Sequence, residues 1–166
     1  MADPVLFEVR EAEPHEYEAA GEICVLAYAA IEGESDLGYF EELRDVATRA
    51  DVVPVLVAAQ PDGTLLGTVT YVPGPGPYAE TEGADEAGFR MLAVAPWAQG
   101  RHVGRRLVEA CIARARADER KALVILTRPS MRVAHGLYES LGFVRDESGD
   151  FEFEPGQWLW GYRLAL

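Results

Sequence analysis

Apolar residues along this chain fall into short runs, alternating or continuous, and longer stretches with a three-to-four spacing, punctuated by Pro, Gly and Asp. Residues 5–10 read as a first strand. Residues 14–32 read as a helix opened by Pro14, with Ile23, Leu26, Ala27, Ala30 and Ile31 on its apolar side. A second helical pattern covers 38–50 around Phe40, Leu43, Val46 and Ala47. The apolar run 52–59 is a strand, Pro61-Asp62-Gly63-Thr64 supplies turn chemistry, and 65–72 returns as the hairpin partner. A Pro/Gly-rich polar loop follows at 73–84, a length more common in functional loops than in plain connections.

The second half alternates strand and helix. Residues 89–95 form a strand stopped by Pro96. Residues 100–119 form a helix with Val103, Leu107, Ala110, Cys111 and Ala115 inward. Residues 122–127 form a strand with a continuous apolar run, as in strands covered on both faces. Residues 130–141 predict a short helix closed by Gly142, in which Ala134, Leu137, Tyr138 and Leu141 share a stripe and His135 faces outward. Residues 143–145 and 158–164 close as a pair of strands, with Trp158 and Trp160 on the second. The strand–helix–strand at 89–127 implies a right-handed crossover between parallel strands, whereas the early hairpin is antiparallel. The expected fold is α/β, a single domain over residues 1–166 with one mixed central sheet and helices on both faces.

Charge adds a localised signal. The chain holds 28 acids and 15 bases, a formal net charge of −13, yet residues 101–132 carry nine bases against three acids. Arg101, Arg105 and Arg106 fall in the first turns of a predicted helix, where cations oppose the partial positive charge of the helix end. A bound polyanion resolves that conflict, because a glycine-containing turn into a helix start presents backbone N–H groups to phosphate. The acidic remainder argues against a nucleic-acid partner and suits a cationic substrate. Cys24 and Cys111 lie inside apolar helical patterns and read as small buried hydrophobes, without metal-ligand spacing or a disulfide framework, so no metal is expected. No apolar run approaches membrane-spanning length, and the opening residues lack a secretory pattern, so a cytoplasmic protein without a membrane partner is expected.

Three segments carry a further likeness: Met91-Leu92-Ala93-Val94-Ala95-Pro96, then Gln99-Gly100-Arg101-His102-Val103-Gly104, then Ala134-His135-Gly136-Leu137-Tyr138-Glu139-Ser140-Leu141-Gly142-Phe143. In this order, with one helix and one strand between the last two, the chain resembles the GCN5-related N-acetyltransferase (GNAT) superfamily along essentially its whole length. The resemblance implies the acyl-CoA N-acyltransferase fold, with a mostly antiparallel sheet, and acetyl-CoA as co-substrate. It implies that Leu92 and Val94 offer main-chain groups to the pantetheine arm, on a strand whose bulge aims an N–H at the thioester carbonyl. Gln99, Gly100, Arg101, His102, Val103, Gly104 and Arg105 are then the pyrophosphate loop, and Met131 and Ala134 flank the pantetheine. Tyr138 is the proton donor to the departing thiolate.

Two departures stand out. His102 occupies the usual middle glycine of the loop, which is expected to require a negative φ there, and Met131 replaces an asparagine common in relatives. The glutamate that many relatives carry before the cofactor loop aligns with Gly88, so Glu86, two residues earlier on the same side of the strand, is the candidate base. Tyr28, Glu32, Tyr39 and Tyr78, together with Asp36, lie in segments that form the acceptor side in relatives, an aromatic and acidic mixture suited to an ammonium. The expected reaction is direct acetyl transfer in a ternary complex to a primary amine of a small molecule, by a monomer or homodimer. A protein N-terminus or lysine is the alternative acceptor, and a catalytically idle CoA-binding regulatory module the alternative class.

Overall fold

Val55–Ala59 (β2) and Leu65–Val72 (β3) are buried at every position, as Val/Leu-rich runs are when covered on both faces. They form an antiparallel hairpin with Val55 opposite Thr70, and Glu8–Glu11 (β1) pairs antiparallel along β2. The computed structural model describes residues 6–32 and 37–166. It contains two compact units, one comprising the chain up to Tyr71 with Met91–Ala110, the other Val72–Arg90 with Cys111–Leu166. Three elements contribute residues to both: β3 through Val72, Glu86–Val94 (β4) and Val103–Ala117 (α4).

In the first unit the strands run in the order β1-β2-β3-β4. Three helices precede β2: Tyr17–Glu32 (α1), entered through a single turn at Pro14–Glu16, then Leu37–Arg44 (α2) and Val46–Ala50 (α3). The expected apolar side of α1 is corrected. Ala20, Ile23, Cys24 and Tyr28 are buried, whereas Leu26, Ala30 and Ile31 face solvent. Gly21 lets α2 approach closely, since a Cβ there would come within 2.5 Å of the Arg44 carbonyl. The helix expected at 38–50 breaks at Asp45, whose carboxylate accepts the Thr48 N–H (3.2 Å) and hydroxyl (2.6 Å) and so starts α3. Its inward stripe is Phe40, Leu43, Val46 and Arg49, with Ala47 exposed.

Arg49 is only 1% exposed. Its guanidinium donates to the carbonyls of Glu42 (2.7 Å), Leu43 (3.0 Å) and Asp45 (3.2 Å) and to the Thr70 hydroxyl (3.2 Å). A cation thus satisfies the carbonyl end of α2, where the helix dipole favours it.

In the second unit the order is β4-β5-β8-β6, with Ala122–Thr127 (β5), Val144–Arg145 (β6) and Gln157–Ala165 (β8). β4 and β5 run parallel from Glu86↔Ala122 to Gly88↔Val124, while β5·β8 and β6·β8 are antiparallel. The fold class is therefore the expected mixed α/β with a mixed, mostly antiparallel sheet. β4 begins earlier than expected because its first residues pair with β5. Phe151–Glu154 (β7), which the sequence reading leaves out, pairs antiparallel with the start of β8 across a Pro155-Gly156 turn. Arg145 binds both oxygens of Asp150 (2.6 and 2.7 Å), and Asp150 also accepts the Gly161 N–H (2.9 Å).

Arg132–Ser140 (α5) lies between β5 and β6 and ends before Gly142, which takes φ +96°. Its buried residues are His135 and Tyr138. The outward placement expected for His135 is thus corrected. The imidazole is 8% exposed, stacks on Trp160 (5.7 Å) and Tyr162 (5.4 Å), and its Nε2 lies 3.0 Å from the Arg128 carbonyl. A flat ring with a polar edge fills this aromatic slot while satisfying a carbonyl.

Candidate active site

The basic segment begins with a loop. After a turn at Pro96–Ala98 the chain passes through Gly100 (φ +78°) and His102 (φ +62°) into α4. The negative φ expected at His102 is therefore overturned: the residue is left-handed and exposed. These left-handed residues delay the helix start from 100 to Val103. The first backbone N–H groups of α4 have no partner within the helix, and its first turn contains no acid. The arginines are not equivalent. Arg105 Nε lies 3.1 Å from Glu109 Oε1, Arg106 sits over the Phe7 ring at 5.0 Å, and Arg101 is exposed. A helix start with unpartnered N–H groups, no acid in its own first turn and an exposed arginine beside it has the chemistry that suits a diphosphate.

In β4, Leu92 and Val94 are half-buried between the buried Met91, Ala93 and Ala95. Met91 adopts φ +57°, a left-handed residue inside a strand, and no residue type marks it in the sequence. Tyr28 is buried and meets half-buried Tyr39 edge-on at 5.8 Å, so the first unit brings these two together. The Glu32 side chain and Asp36 lie outside the described residues.

The second unit holds the groups able to move protons. Tyr138 is 5% exposed in an aromatic cluster with Phe89 (5.7 Å), Phe143 (5.8 Å) and Tyr162 (6.1 Å). Burial, with a smaller contribution from Cys111, pushes its phenol well above the ordinary tyrosine value, so the proton stays on at neutral pH. Met131 precedes α5, and its sulfur accepts from the Thr127 hydroxyl at 3.7 Å; Ala134 is half-buried one turn on. Tyr78 is half-buried in the 73–84 loop, where its carbonyl receives Arg90.

Glu86 opens β4. It is bound by Arg163 and accepts the Gly83 N–H at 2.8 Å. Desolvation acts to raise its pKa, but the arginine and the N–H outweigh it and hold the carboxyl below the usual range. A carboxylate so committed is a weak base. Glu82, which the sequence reading passes over, lies against Gly88: a Cβ at position 88 would overlap its Oε1 and come within 2.6 Å of the Val124 carbonyl. Cys24 and Cys111 are both fully buried free thiols. Burial raises Cys24 to about 11 and Cys111 further.

The acetyltransferase (GNAT) family model matches residues 10–143, and the chain belongs to that family. Acetyl-CoA is accordingly its co-substrate, and the reaction is N-acetyl transfer to an acceptor. Among solved structures the chain is similar to a GCN5-related N-acetyltransferase from Kribbella flavida, at 25% identity and TM-score 0.71, covering 99% of this chain and 100% of that one. It is also similar to a ribosomal-protein-alanine N-acetyltransferase from Brucella melitensis (24%, TM-score 0.69, 96% and 99% covered). A third similar structure is the putative acetyltransferase yncA from Salmonella typhimurium with its cofactor acetyl-CoA (22%, TM-score 0.69, 97% and 94% covered). No curated protein matches the chain. Among the described residues, no helix is long and apolar enough to cross a membrane.

Proposed function

We propose that the enzyme transfers acetyl directly from acetyl-CoA to a primary amine of a small molecule, with both substrates bound at once. The observation that carries this reading is the state of the two thiols. Cys24 and Cys111 are buried and their pKa values raised, so neither supplies a thiolate for an acetyl-enzyme intermediate. Residues 99–105 hold the diphosphate through backbone N–H groups and Arg101; Leu92 and Val94 present main-chain groups to the pantetheine, flanked by Met131 and Ala134. The family resemblance assigns Tyr28, Glu32, Tyr39 and Tyr78 to the acceptor side. Tyr138, protonated at neutral pH, gives its proton to the leaving sulfur. Its phenol is a weaker acid than the thiol it serves, so proton transfer runs in concert with C–S cleavage.

Initial velocities on a panel of small primary amines test this. Intersecting double-reciprocal lines are expected, with no mass increase on the protein after acetyl-CoA alone; parallel lines and an acetylated cysteine would refute direct transfer. Tyr138→Phe is expected to lower kcat by roughly 10²-fold while acetyl-CoA still binds. Preference for peptide N-termini or lysines in the same panel reassigns the acceptor. Acetyl-CoA binding without turnover on any amine or peptide reassigns the chain as a CoA-binding module.

A further inference from the structure

We propose that Glu82, on the loop before β4, is the general base that takes the proton from the incoming ammonium. This rests on the direct-transfer reading above. A base for this step must be ionised, not spent on a cation, and held in place. Four carboxylates lie along residues 80–86, leading into β4. Glu80 faces Arg90 at 3.3 Å, Asp85 faces Lys121 at 3.3 Å, and Glu86 is bound by Arg163. Glu82 is held by N–H groups instead of a cation: its Oε2 accepts from the backbone of Glu80 and, at 3.0 Å, of Thr81.

Its other oxygen, Oε1, occupies the space over β4 that any side chain at position 88 would fill. Glycine at 88 is what lets a loop carboxylate lie on the strand. Gly88 is the last residue of β4 in the parallel ladder, opposite Val124, and the next residue, Phe89, meets the Tyr138 ring at 5.7 Å. The loop is fastened on both sides of Glu82. Arg90 donates to the Tyr78 carbonyl (3.5 Å) and Arg120 to the Ala84 carbonyl (3.0 Å), so the carboxylate is positioned before any substrate arrives.

The step balances as follows. Oε1 of Glu82 takes a proton from the ammonium, and the freed nitrogen lone pair attacks the thioester carbonyl carbon. The N–C bond forms and the C–S bond breaks. The departing sulfur takes the Tyr138 proton. The second proton on the attacking nitrogen leaves to solvent as the neutral amide forms. Glu82 also gives its proton to solvent, and one of the two returns to the phenolate, so that one proton is released per turnover.

The test uses the full chain, acetyl-CoA and a panel of small primary amines, following CoA release across pH, with acetyl-CoA affinity measured by calorimetry. Glu82→Gln is expected to lower kcat/KM on the order of 10²-fold and to abolish the acid limb of the pH profile, with acetyl-CoA affinity unchanged. Formate is expected to restore part of the rate lost in Glu82→Ala, which a merely structural role would not allow. Glu82→Asp, which withdraws the charge by one methylene, is expected to give an intermediate rate. Wild-type rate and an unchanged pH profile in Glu82→Gln overturn the assignment, as does loss of the acid limb in Glu86→Gln but not in Glu82→Gln. A wild-type protein that acetylates no amine overturns the transfer reading itself, and this inference with it.

Discussion

Replacing Arg49 tests the account of how the first two helices are held. Its guanidinium serves three carbonyls and a threonine hydroxyl from a fully buried position. In Arg49→Met the apolar stem is kept and the donors are lost. The Leu43 carbonyl then stays buried without a partner, at a cost of about 1–3 kcal/mol. The Glu42 and Asp45 carbonyls sit at the edge of the core and regain water, so each loses only the net value of a charged hydrogen bond, about 1 kcal/mol here. The sum is about 3–5 kcal/mol. Arg49→Ala adds a cavity and is expected to lose at least 1 kcal/mol more. For a chain of this size each kcal/mol corresponds to about 2–4 °C, so Arg49→Met is expected to melt roughly 10 °C below wild type. Calorimetry or urea unfolding monitored by circular dichroism measures this. An Arg49→Met protein as stable as wild type would refute the reasoning, since it would mean the carbonyl end of α2 needs no internal donor.

Three further outcomes follow from local geometry. His102→Gly releases about 1–2 kcal/mol of left-handed strain and costs about 0.5–1 kcal/mol through a looser unfolded chain, so Tm should rise by a degree or two with acetyl-CoA affinity kept; a clear fall contradicts the φ of +62°. Gly21→Ala, favourable by about 1 kcal/mol in an open helix, should instead destabilise, because its Cβ would come within 2.5 Å of the Arg44 carbonyl; a raised melting temperature would show that α1 and α2 do not pack this closely. Arg145 holds Asp150 below its unfolded value, so that carboxylate stabilises the fold above its unfolded pKa, and the contribution drains away as pH falls through the lower folded value. Urea midpoints from pH 6 to 2.5 should therefore fall less steeply in Asp150→Asn than in wild type.

What the sequence conveyed follows from how local each cause is. β5 was legible because the five continuous apolar residues Ala122 to Leu126 admit few other readings, and residues 99–104 because glycine and arginine cluster before an amphipathic helix. The facing of α1 was not, since apolar residues line both its sides and only packing against α2 chooses Ala20 and Cys24 over Leu26 and Ile31. The break at Asp45 and the strand β7 had local signals, an Asp three residues before Thr48 and a Phe-Glu-Phe-Glu alternation before Pro-Gly; a continuing apolar stripe hid the first and the surrounding acidity the second. Left-handed Met91 and the seating of Glu82 over Gly88 are tertiary facts that no residue pattern announces.

On the proposed base assignment, the carboxylate resting over Gly88 also acts on turnover through its charge. An amine arrives carrying a positive charge and departs as a neutral amide. An anion held by N–H groups attracts the first and is indifferent to the second, a difference of about 0.2–1 kcal/mol for a partly exposed pair. On that assignment acetylation removes the charge that draws the acceptor in, so the product is let go by the same chemistry that made it.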